Sequence, residues 1–296
     1  MATTSVTVGR EARTRASAVP AGDALTRWYN GFCLSVLLVF AAVWLIPLLW
    51  AVDTSLRPEG EIATNPTSWW SSHFSLDAYR AVWNAGDMPK WYLNSAITAV
   101  LSAAAAVVVA SMAGFALSKV DFSGRRWMFL LVLAGIMIPP QVLIVPMFRE
   151  FGAMHLLNTY WSIILPAIPT PLAVFVFKQF FDGLPTDLVE AAQMDGASWW
   201  RVYRRICLPL TRPAISAVAI FTFVWTWNAF LWPLLTLSSP DVMTIPVGLG
   251  TVQSAFGIHY AQIMASAVLG ALPLLVVFIV FQRRIVEGIV GTGLKG

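Results

Sequence analysis

The sequence predicts an all-α integral membrane protein with six transmembrane helices and both termini in the cytoplasm. Three observations carry this prediction. Only 11% of the 296 residues are charged, whereas a soluble domain carries about 25% charged residues. The apolar residues gather into six stretches near the ~20 residues that a bilayer requires. The basic residues concentrate in alternate connections between these stretches, which is how membrane topology is encoded.

The six apolar stretches are expected to be helices, because a helix satisfies every backbone polar group inside lipid. A polar, Ala-, Thr- and Arg-rich segment precedes them and is predicted to be a disordered tail over residues 1–28, leaving residues 29–296 as the transmembrane domain. We expect Trp91, Trp127 and Trp161 to be interfacial anchors. The predicted spans are Gly31–Val52, Trp91–Ser118, Trp127–Phe148, Asn158–Phe181, Ala214–Leu237 and Tyr260–Gln282.

Prolines are predicted to break the third and fourth spans, and the second span contains small residues at helical spacing. Proline removes a backbone donor and kinks a helix, and broken helices line cavities or pack inside protein. Both explanations stay open for these breaks. Ala110 and Gly114 lie four residues apart and allow close approach of another helix. The prolines are Pro139 and Pro140 in the third span and Pro166, Pro169 and Pro171 in the fourth.

The orientation follows from the distribution of Lys and Arg. Fifteen of the 19 basic residues fall in the two terminal segments and in residues 119–126 and 178–212, and four fall on the opposite side. Basic residues mark the cytoplasmic side, so both termini and the polar segment 182–213 are predicted to be cytoplasmic. Residues 56–90 are predicted to form short helices on the outer surface, and Ser238–Ile258 to form an outer loop without Lys or Arg.

Motifs of catalysis and of metal binding are missing from the sequence. It has no Gly-rich phosphate loop of the Walker type, no Gly-x-Ser-x-Gly and no His-Glu-x-x-His. Its three histidines are far apart, and Cys33 and Cys207 have no metal-like spacing. We therefore predict no catalytic residues, no metal site, no cofactor held by this chain and no nucleic-acid partner. The spans also lack the buried acidic residues on which ion-coupled carriers depend.

A few polar and aromatic residues inside the spans are candidates for a substrate pathway. They are Gln141, Trp225, Trp227 and Asn228. Aromatic faces stack on the C–H surface of a sugar and an amide pairs with its hydroxyl groups, so the Trp-Thr-Trp-Asn run suits a carbohydrate. The alternative is that Asn228 bonds a neighbouring helix.

A short polar segment within residues 182–213 carries the most distinctive pattern. Thr186 or Asp187 is expected to cap one helix, Gly196 to end it, and Ser198 to begin a second helix. Pro209 and Pro213 are expected to close that second helix. The pattern consists of Glu190, Ala191, Ala192, Asp195, Gly196, Ile206, Leu208 and Pro209.

The spacing Glu-Ala-Ala, three residues, Gly, nine residues, Ile-x-Leu-Pro resembles the signature loop of ABC importer permeases with a MetI-like transmembrane domain. The form Glu-Ala-Ala-x-x-Asp-Gly-Ala is similar to the MalG-type subunit of carbohydrate importers. Supporting similarities cover about Gly31 to Gly296 and include Asn94-Ser95, Trp227-Asn228 and the closing Lys295-Gly296. Many members have an acidic residue after the Trp-Asn pair, where this chain has Ala229.

The resemblance implies a multi-pass permease of the bacterial cell membrane, working in an ATP-driven, binding-protein-dependent importer of a sugar or of a related compound such as glycerol-3-phosphate. The implied partners are a second permease, two ATPase subunits that bind ATP and Mg, and an extracytoplasmic sugar-binding protein. Glu190 would pair with charges of the ATPase, Ala191 and Ala192 would allow close approach, and Gly196 would supply the bend. The loop Ser238–Ile258 would face the binding protein.

Two other functions stay open on the sequence. A secondary active solute carrier would share the six spans, the broken helices and the polar aromatic segment. A membrane protein outside transport, such as a sensor anchor or an assembly factor, would share the spans alone. A requirement of uptake for ATP would distinguish an ATP-driven importer from the secondary carrier. An ATPase partner would distinguish it from the membrane protein outside transport.

Overall fold

The computed structural model describes residues 22–71, 73–255 and 259–293, and every regular element in these ranges is a helix. The predicted all-α class is confirmed for this part of the chain. In chain order the helices are α1 (Gly22–Ser55), α2 (Glu59–Thr64), α3 (Asp77–Ala85), α4 (Met88–Lys119), α5 (Arg125–Ile136), a 3₁₀ turn (Pro140–Leu143), α6 (Ile144–Ala153), α7 (Trp161–Ala167), α8 (Pro171–Asp182), α9 (Thr186–Met194), α10 (Trp199–Val202), a π turn (Tyr203–Cys207), α11 (Leu208–Leu210), α12 (Arg212–Trp227), α13 (Leu231–Thr236), α14 (Ile245–Ala255) and α15 (Tyr260–Gly293).

Helix α1 belongs almost entirely to a separate unit, residues 1–50. It begins at Gly22, so the predicted tail boundary at residue 28 lies inside the helix, and residues 1–21 lie outside the described residues. Its part Thr26–Ser55 is long and apolar enough to cross a membrane. Most of its large apolar side chains are exposed, for example Leu37 at 64% and Trp44 at 66%. A helix that is apolar on every side is stable in lipid or inside a larger assembly.

The described helices account for three to six membrane crossings by length and composition. Three helices qualify alone, and three pairs bent by more than 40° qualify if each pair is one span. Two bends fall at the predicted proline breaks, with 92° between α5 and Pro140–Ala153 and 42° between α7 and α8. The third bend, of 79°, separates Trp199–Leu210 from α12. The prolines therefore predicted two of the three bends.

The fifth predicted span, Ala214–Leu237, is not one helix. Helix α12 ends at Trp227, and α13 begins only at Leu231. Pro233 lies in the first turn of α13. Its ring would clash with the carbonyl group four residues earlier and it donates no hydrogen bond, so an uninterrupted helix through this point is disfavoured.

Helix α4 lies at the centre of the second unit, residues 51–296, and packs closely against α8 and α12. At Gly114 a Cβ atom would lie 2.7 Å from the Phe177 Cβ atom and 2.9 Å from the Lys178 backbone nitrogen of α8. Ala110, one turn earlier, is fully buried. The predicted close approach at these two small residues is confirmed.

Trp91 is buried, so its prediction as an interfacial anchor was wrong. Only 3% of its surface is exposed, because its ring fills the space beside Gly86 and Gly248, where a Cβ atom would lie within 2.3 Å of the ring. Its indole N–H donates to the Pro240 carbonyl oxygen at 3.3 Å. Trp127 and Trp161 are 72% and 54% exposed, as expected of anchors.

The segment Ser238–Ile258 contains a helix rather than only a loop. Ile245 and Val247 of α14 are almost fully buried, and the Asn94 side chain of α4 donates to the carbonyl oxygens of Asp241 and Met243 at 2.9 and 2.8 Å. Lys90 forms an ion pair with Asp241, and this hydrogen bond and charge lower the pKa of Asp241 below its usual value. Ile245 and Leu249, both buried, lie four residues apart and share one face of the helix.

The segment 56–90 contains the short helices α2 and α3, and the prediction of short helices there is confirmed. Glu59 connects this segment to α15: its two carboxylate oxygens accept the backbone N–H groups of Tyr260 and Ala261 at 2.7 and 3.0 Å. These are among the N–H groups that the start of a helix leaves without internal partners. A carboxylate at a helix N-terminus is also favoured by the helix dipole, so Glu59 fixes where α15 begins.

Candidate functional site

Helix α9 begins directly after Pro185. Pro185 is extended, with φ −53° and ψ 132°, and no side chain caps the helix. The prediction that Thr186 or Asp187 is the cap was wrong, since both lie in the first turn. A proline with its φ fixed near the helical value is well placed at a helix start, and Asp187 there is favoured by the helix dipole.

Helix α9 ends at Met194, and Gly196 closes it in a Schellman motif. Gly196 has φ +76° and donates its N–H to the Gln193 carbonyl oxygen at 2.9 Å, and Ala197 donates to the Ala192 carbonyl oxygen at 2.9 Å. This pair of bonds satisfies two of the last carbonyl groups and needs a left-handed residue, usually glycine. A Cβ atom at Gly196 would meet nothing within 4 Å, so the position is restricted by backbone conformation and not by space.

The two alanines of the motif point in different directions. Ala192 packs against a buried cluster that includes Phe177, Phe181 and Val189. Ala191 is exposed, as are Glu190 and Asp195. Large apolar side chains lie exposed on the same helix, with Leu188 at 44% and Met194 at 84%. Their exposure was not predicted, although their spacing around Ala191 was visible in the sequence.

We call the run Trp199–Leu210 the basic helix; it comprises α10, the π turn and α11. Ser198 stands at its N-cap position as predicted, but its hydroxyl makes no capping bond. Pro209 does not close the helix, which continues to Leu210, and Pro213 lies in the first turn of α12 rather than at an end. The π turn, with the Leu208 N–H bonded to the Tyr203 carbonyl, lies just before Pro209 and loosens the helix where proline removes a donor.

The basic helix is fixed to α4 by aromatic and hydrogen-bonded contacts. The Tyr203 hydroxyl lies 2.8 Å from the Ser111 hydroxyl in a buried position. The Phe115 ring of α4 contacts the rings of Phe181, Trp199 and Tyr203 at centroid distances of 5.7, 6.2 and 5.3 Å. Ile206 and Leu208 pack against the same cluster. A displacement of the basic helix would therefore act directly on α4.

Two polar contacts fix the chain where it enters α9. Lys119, at the end of α4, donates to the Leu184 carbonyl oxygen at 2.8 Å. Asp182, at the end of α8, accepts from the Ser118 hydroxyl and the Lys178 ammonium group, each at 2.6 Å. The ends of α4 and α8 thus hold the entry to α9 on both sides.

A cavity of about 350 Å³ lies among α12, α14 and α15 and brings two of the four pathway candidates together. Trp227 and Asn228 line it, together with Phe230, Gly250 and Ser266. Trp225 and Gln141 are not among its lining residues, and both are exposed. The Asn228 amide donates to the Val224 carbonyl oxygen of its own helix at 2.9 Å, so the alternative that it bonds a neighbouring helix was wrong.

Ser266 is a polar residue of this cavity that the sequence analysis missed. It is 1% exposed, and its hydroxyl has no hydrogen-bond partner. Nothing in the sequence distinguishes Ser266 from other serines, which are common in transmembrane helices. Among the described residues, no group of three His, Cys, Asp or Glu side chains is arranged to hold a metal ion.

Comparison with known families gives a match over residues 106–288 to the binding-protein-dependent transport system inner membrane component family. This range includes α9, the basic helix and the cavity. The chain belongs to this family. It is thus a multi-pass permease of the bacterial inner membrane, and the resemblance seen in the Glu-Ala-Ala loop is confirmed.

Several curated relatives of the permease match over nearly their full length. The arabinooligosaccharides transport system permease AraQ of Halalkalibacterium halodurans is 38% identical, over 88% of this chain and 93% of that protein. The diacetylchitobiose uptake system permease NgcG of Streptomyces coelicolor is 34% identical, over 85% of this chain and 84% of that protein. The lactose transport permease LacG of Rhizobium radiobacter is 30% identical, over 87% and 94%.

The fold of the permease matches a solved importer structure. A chain of a bacterial ABC transporter that imports the acidic polysaccharide alginate superposes with a TM-score of 0.75, at 18% identity, over 89% of this chain and 97% of that chain. At this identity the match establishes the MetI-like permease fold that the sequence predicted, and only that.

Proposed function

We propose that this permease forms half of the translocation pathway of an ATP-driven, binding-protein-dependent sugar importer, and that α9 couples it to an ATPase subunit. The transported compound would be a di- or oligosaccharide or a related compound such as glycerol-3-phosphate. The relatives named for arabinooligosaccharide, diacetylchitobiose and lactose transport support the sugar class. The single observation that carries the coupling role is the exposed face of α9, held rigidly between Pro185 and Gly196.

The exposed face of α9 suits insertion into a groove of another protein. A short helix that presents an apolar stripe with few charges is a common way to fill such a groove. Leu188 and Met194 supply the apolar contacts, Ala191 between them permits close approach, and Glu190 and Asp195 supply charges for a basic partner. None of the ion pairs within the described ranges involves these carboxylates.

The rest of the importer would be supplied by separate chains. A second permease would complete the pathway, two ATPase subunits would bind ATP and Mg, and an extracytoplasmic binding protein would deliver the sugar. ATP acts by favouring the closed state of the ATPase pair. Closure would move α9 and the basic helix as a rigid body, and the Tyr203–Ser111 and Phe115 contacts would carry that motion to α4.

We further propose that the cavity beside Trp227 contributes contacts to the sugar. Its volume lies in the range of small-molecule sites. The Trp227 ring offers an aromatic face, Asn228 an amide and Ser266 an unpartnered hydroxyl, which together suit stacking and hydrogen bonding to a polyol. Trp225 and Gln141 remain candidates for other positions on the pathway.

The proposed topology has both termini and the segment 182–213 in the cytoplasm, with residues 29–296 as one transmembrane domain. The excess of basic residues on that side supports it. Cysteine labelling at Thr64, in α2, and at Gln193, in α9, tests it in intact cells. An impermeant thiol reagent should label the first position and spare the second.

Reconstitution tests the function. The purified complex in proteoliposomes, supplied with its binding protein and a panel of sugars, should take up one sugar only when ATP is present on the ATPase side. Uptake driven by an ion gradient without ATP would favour the secondary carrier instead. A chain that purifies with neither an ATPase nor a second permease would favour a role outside transport.

A further inference from the structure

The basic helix presents three arginines on the side opposite its buried face. Arg201, Arg204 and Arg205 are exposed, while Val202 and Tyr203 are buried at 0% and 6%. The run Trp199–Leu210 contains no carboxylate. None of the ion pairs between described residues involves these arginines. The helix therefore carries three uncompensated positive charges within five residues.

The bend between the basic helix and α12 fixes the orientation of these charges relative to a bilayer. The two axes meet at 79°, and α12 carries one charged residue, Arg212 at its start, followed by a mostly apolar run. If α12 crosses the membrane, the basic helix lies nearly parallel to the membrane surface. Trp200 and Leu210 on this helix are 57% and 52% exposed. Arginines together with exposed Trp and Leu on a helix in the membrane plane are typical of interfacial helices.

The neighbouring helix α9 carries the opposite charge. Its exposed ionisable residues Asp187 and Glu190, with Asp195 just after it, are all acidic. A single partner surface of one sign complements one of these two helices and repels the other. Since α9 suits a basic protein surface, the basic helix needs an anionic partner of its own. The cytoplasmic leaflet carries anionic phospholipids, and the guanidinium group binds phosphate through two parallel hydrogen bonds.

We propose that Arg201, Arg204 and Arg205 bind anionic phospholipid headgroups of the leaflet at which α12 begins, and so hold the basic helix at the membrane surface. The site is an electrostatic contact and not a closed pocket. The proposal goes beyond the importer function. It requires that α12 crosses the membrane, and it does not depend on which solute is carried or on which ATPase binds.

The test uses the full-length permease in a non-ionic detergent. Phosphatidylglycerol is titrated in, and bound lipid is counted by native mass spectrometry, with phosphatidylcholine as the neutral lipid. One basic residue near an anionic surface contributes ~1 kcal/mol, or about 5-fold in affinity. The R204Q/R205Q variant should therefore bind phosphatidylglycerol about 25-fold more weakly than the unmodified protein, and phosphatidylcholine equally.

Two matched variants control for net charge and for charge type. R80Q/R149Q removes two other exposed arginines and should bind phosphatidylglycerol like the unmodified protein. R204K/R205K keeps both charges and should retain most of the affinity. If the double variant unfolds, the single variant R204Q replaces it in the test, with an expected 5-fold loss of affinity for phosphatidylglycerol.

Three outcomes would overturn the proposal. The first is equal phosphatidylglycerol binding by R204Q/R205Q and the unmodified chain. The second is displacement of bound phosphatidylglycerol by an equal concentration of inorganic phosphate, which would indicate a site for free anions. The third is loss of a co-purified ATPase in R204Q/R205Q with lipid binding unchanged, which would assign the basic helix to a protein partner.

Discussion

Ala191 and Ala192 look equivalent in the sequence, but only one of them can meet a partner. Ala192 is in contact with the buried cluster below α9, whereas Ala191 is exposed. The sequence could predict that two small residues permit close approach. It could not say which alanine faces outward, because that depends on how α9 packs against α8 and the basic helix.

The first residue-scale prediction concerns Ala191. Ala191→Trp should abolish stable association with the ATPase. The indole ring would occupy the space that the wall of the ATPase groove must fill when α9 docks. Co-purification from mild detergent, with the membrane level of the permease measured by immunoblot, checks it. Ala191→Ser keeps the residue small and should leave association unchanged. Full ATPase recovery with Ala191→Trp would argue against docking at this face.

The second residue-scale prediction concerns Gly196. Gly196→Val forces a β-branched residue into φ +76°, which costs on the order of 1–3 kcal/mol and should loosen the Schellman motif. We expect the variant to insert normally and to lose most ATP-dependent uptake in proteoliposomes. Gly196→Asn, which tolerates the left-handed conformation, should keep most of the uptake. Similar ATP-dependent uptake by both variants would show that the bend at Gly196 is not required for coupling.

At the scale of elements, apolar runs and prolines predicted most of the helices and two of the three bends. Their reasons are local, since a bilayer sets span length and proline removes a donor. Helix α14 and the buried position of Trp91 were not predicted, because both depend on contacts between α4 and residues about 150 positions later. The break after Trp227 was not predicted, although Pro233 follows it closely in the sequence.

The capping of α15 by Glu59 gives an element-scale prediction. Glu59→Gln keeps the shape of the side chain but removes the charge that two backbone N–H groups share, which should cost about 1 kcal/mol. Thermal unfolding in detergent should shift down by a few degrees. Glu150→Gln, at an exposed position of α6, should leave the transition unchanged. An equal shift in both variants would indicate a general charge effect instead of a cap.

At the scale of the whole molecule, the candidate site is divided between two regions of the chain. The segment 182–213 carries an exposed face for a partner, and the cavity at Trp227 lies at the other end of α12. Helix α12 follows the basic helix and ends at the cavity, while α4 packs against both the basic helix and α12. Sequence patterns located both regions, but only the structure joins them through α4 and α12.

The most direct test of the account is a photo-crosslink from residue 194. Met194 is 84% exposed on α9, and a photoreactive residue there should form a covalent adduct with an ATPase subunit in native membranes. The same residue at position 149, in α6, should form none. The adduct at 194 alone is the result we predict. If the ATPase co-purifies but crosslinks to position 149 and not to 194, then α9 is not the coupling contact.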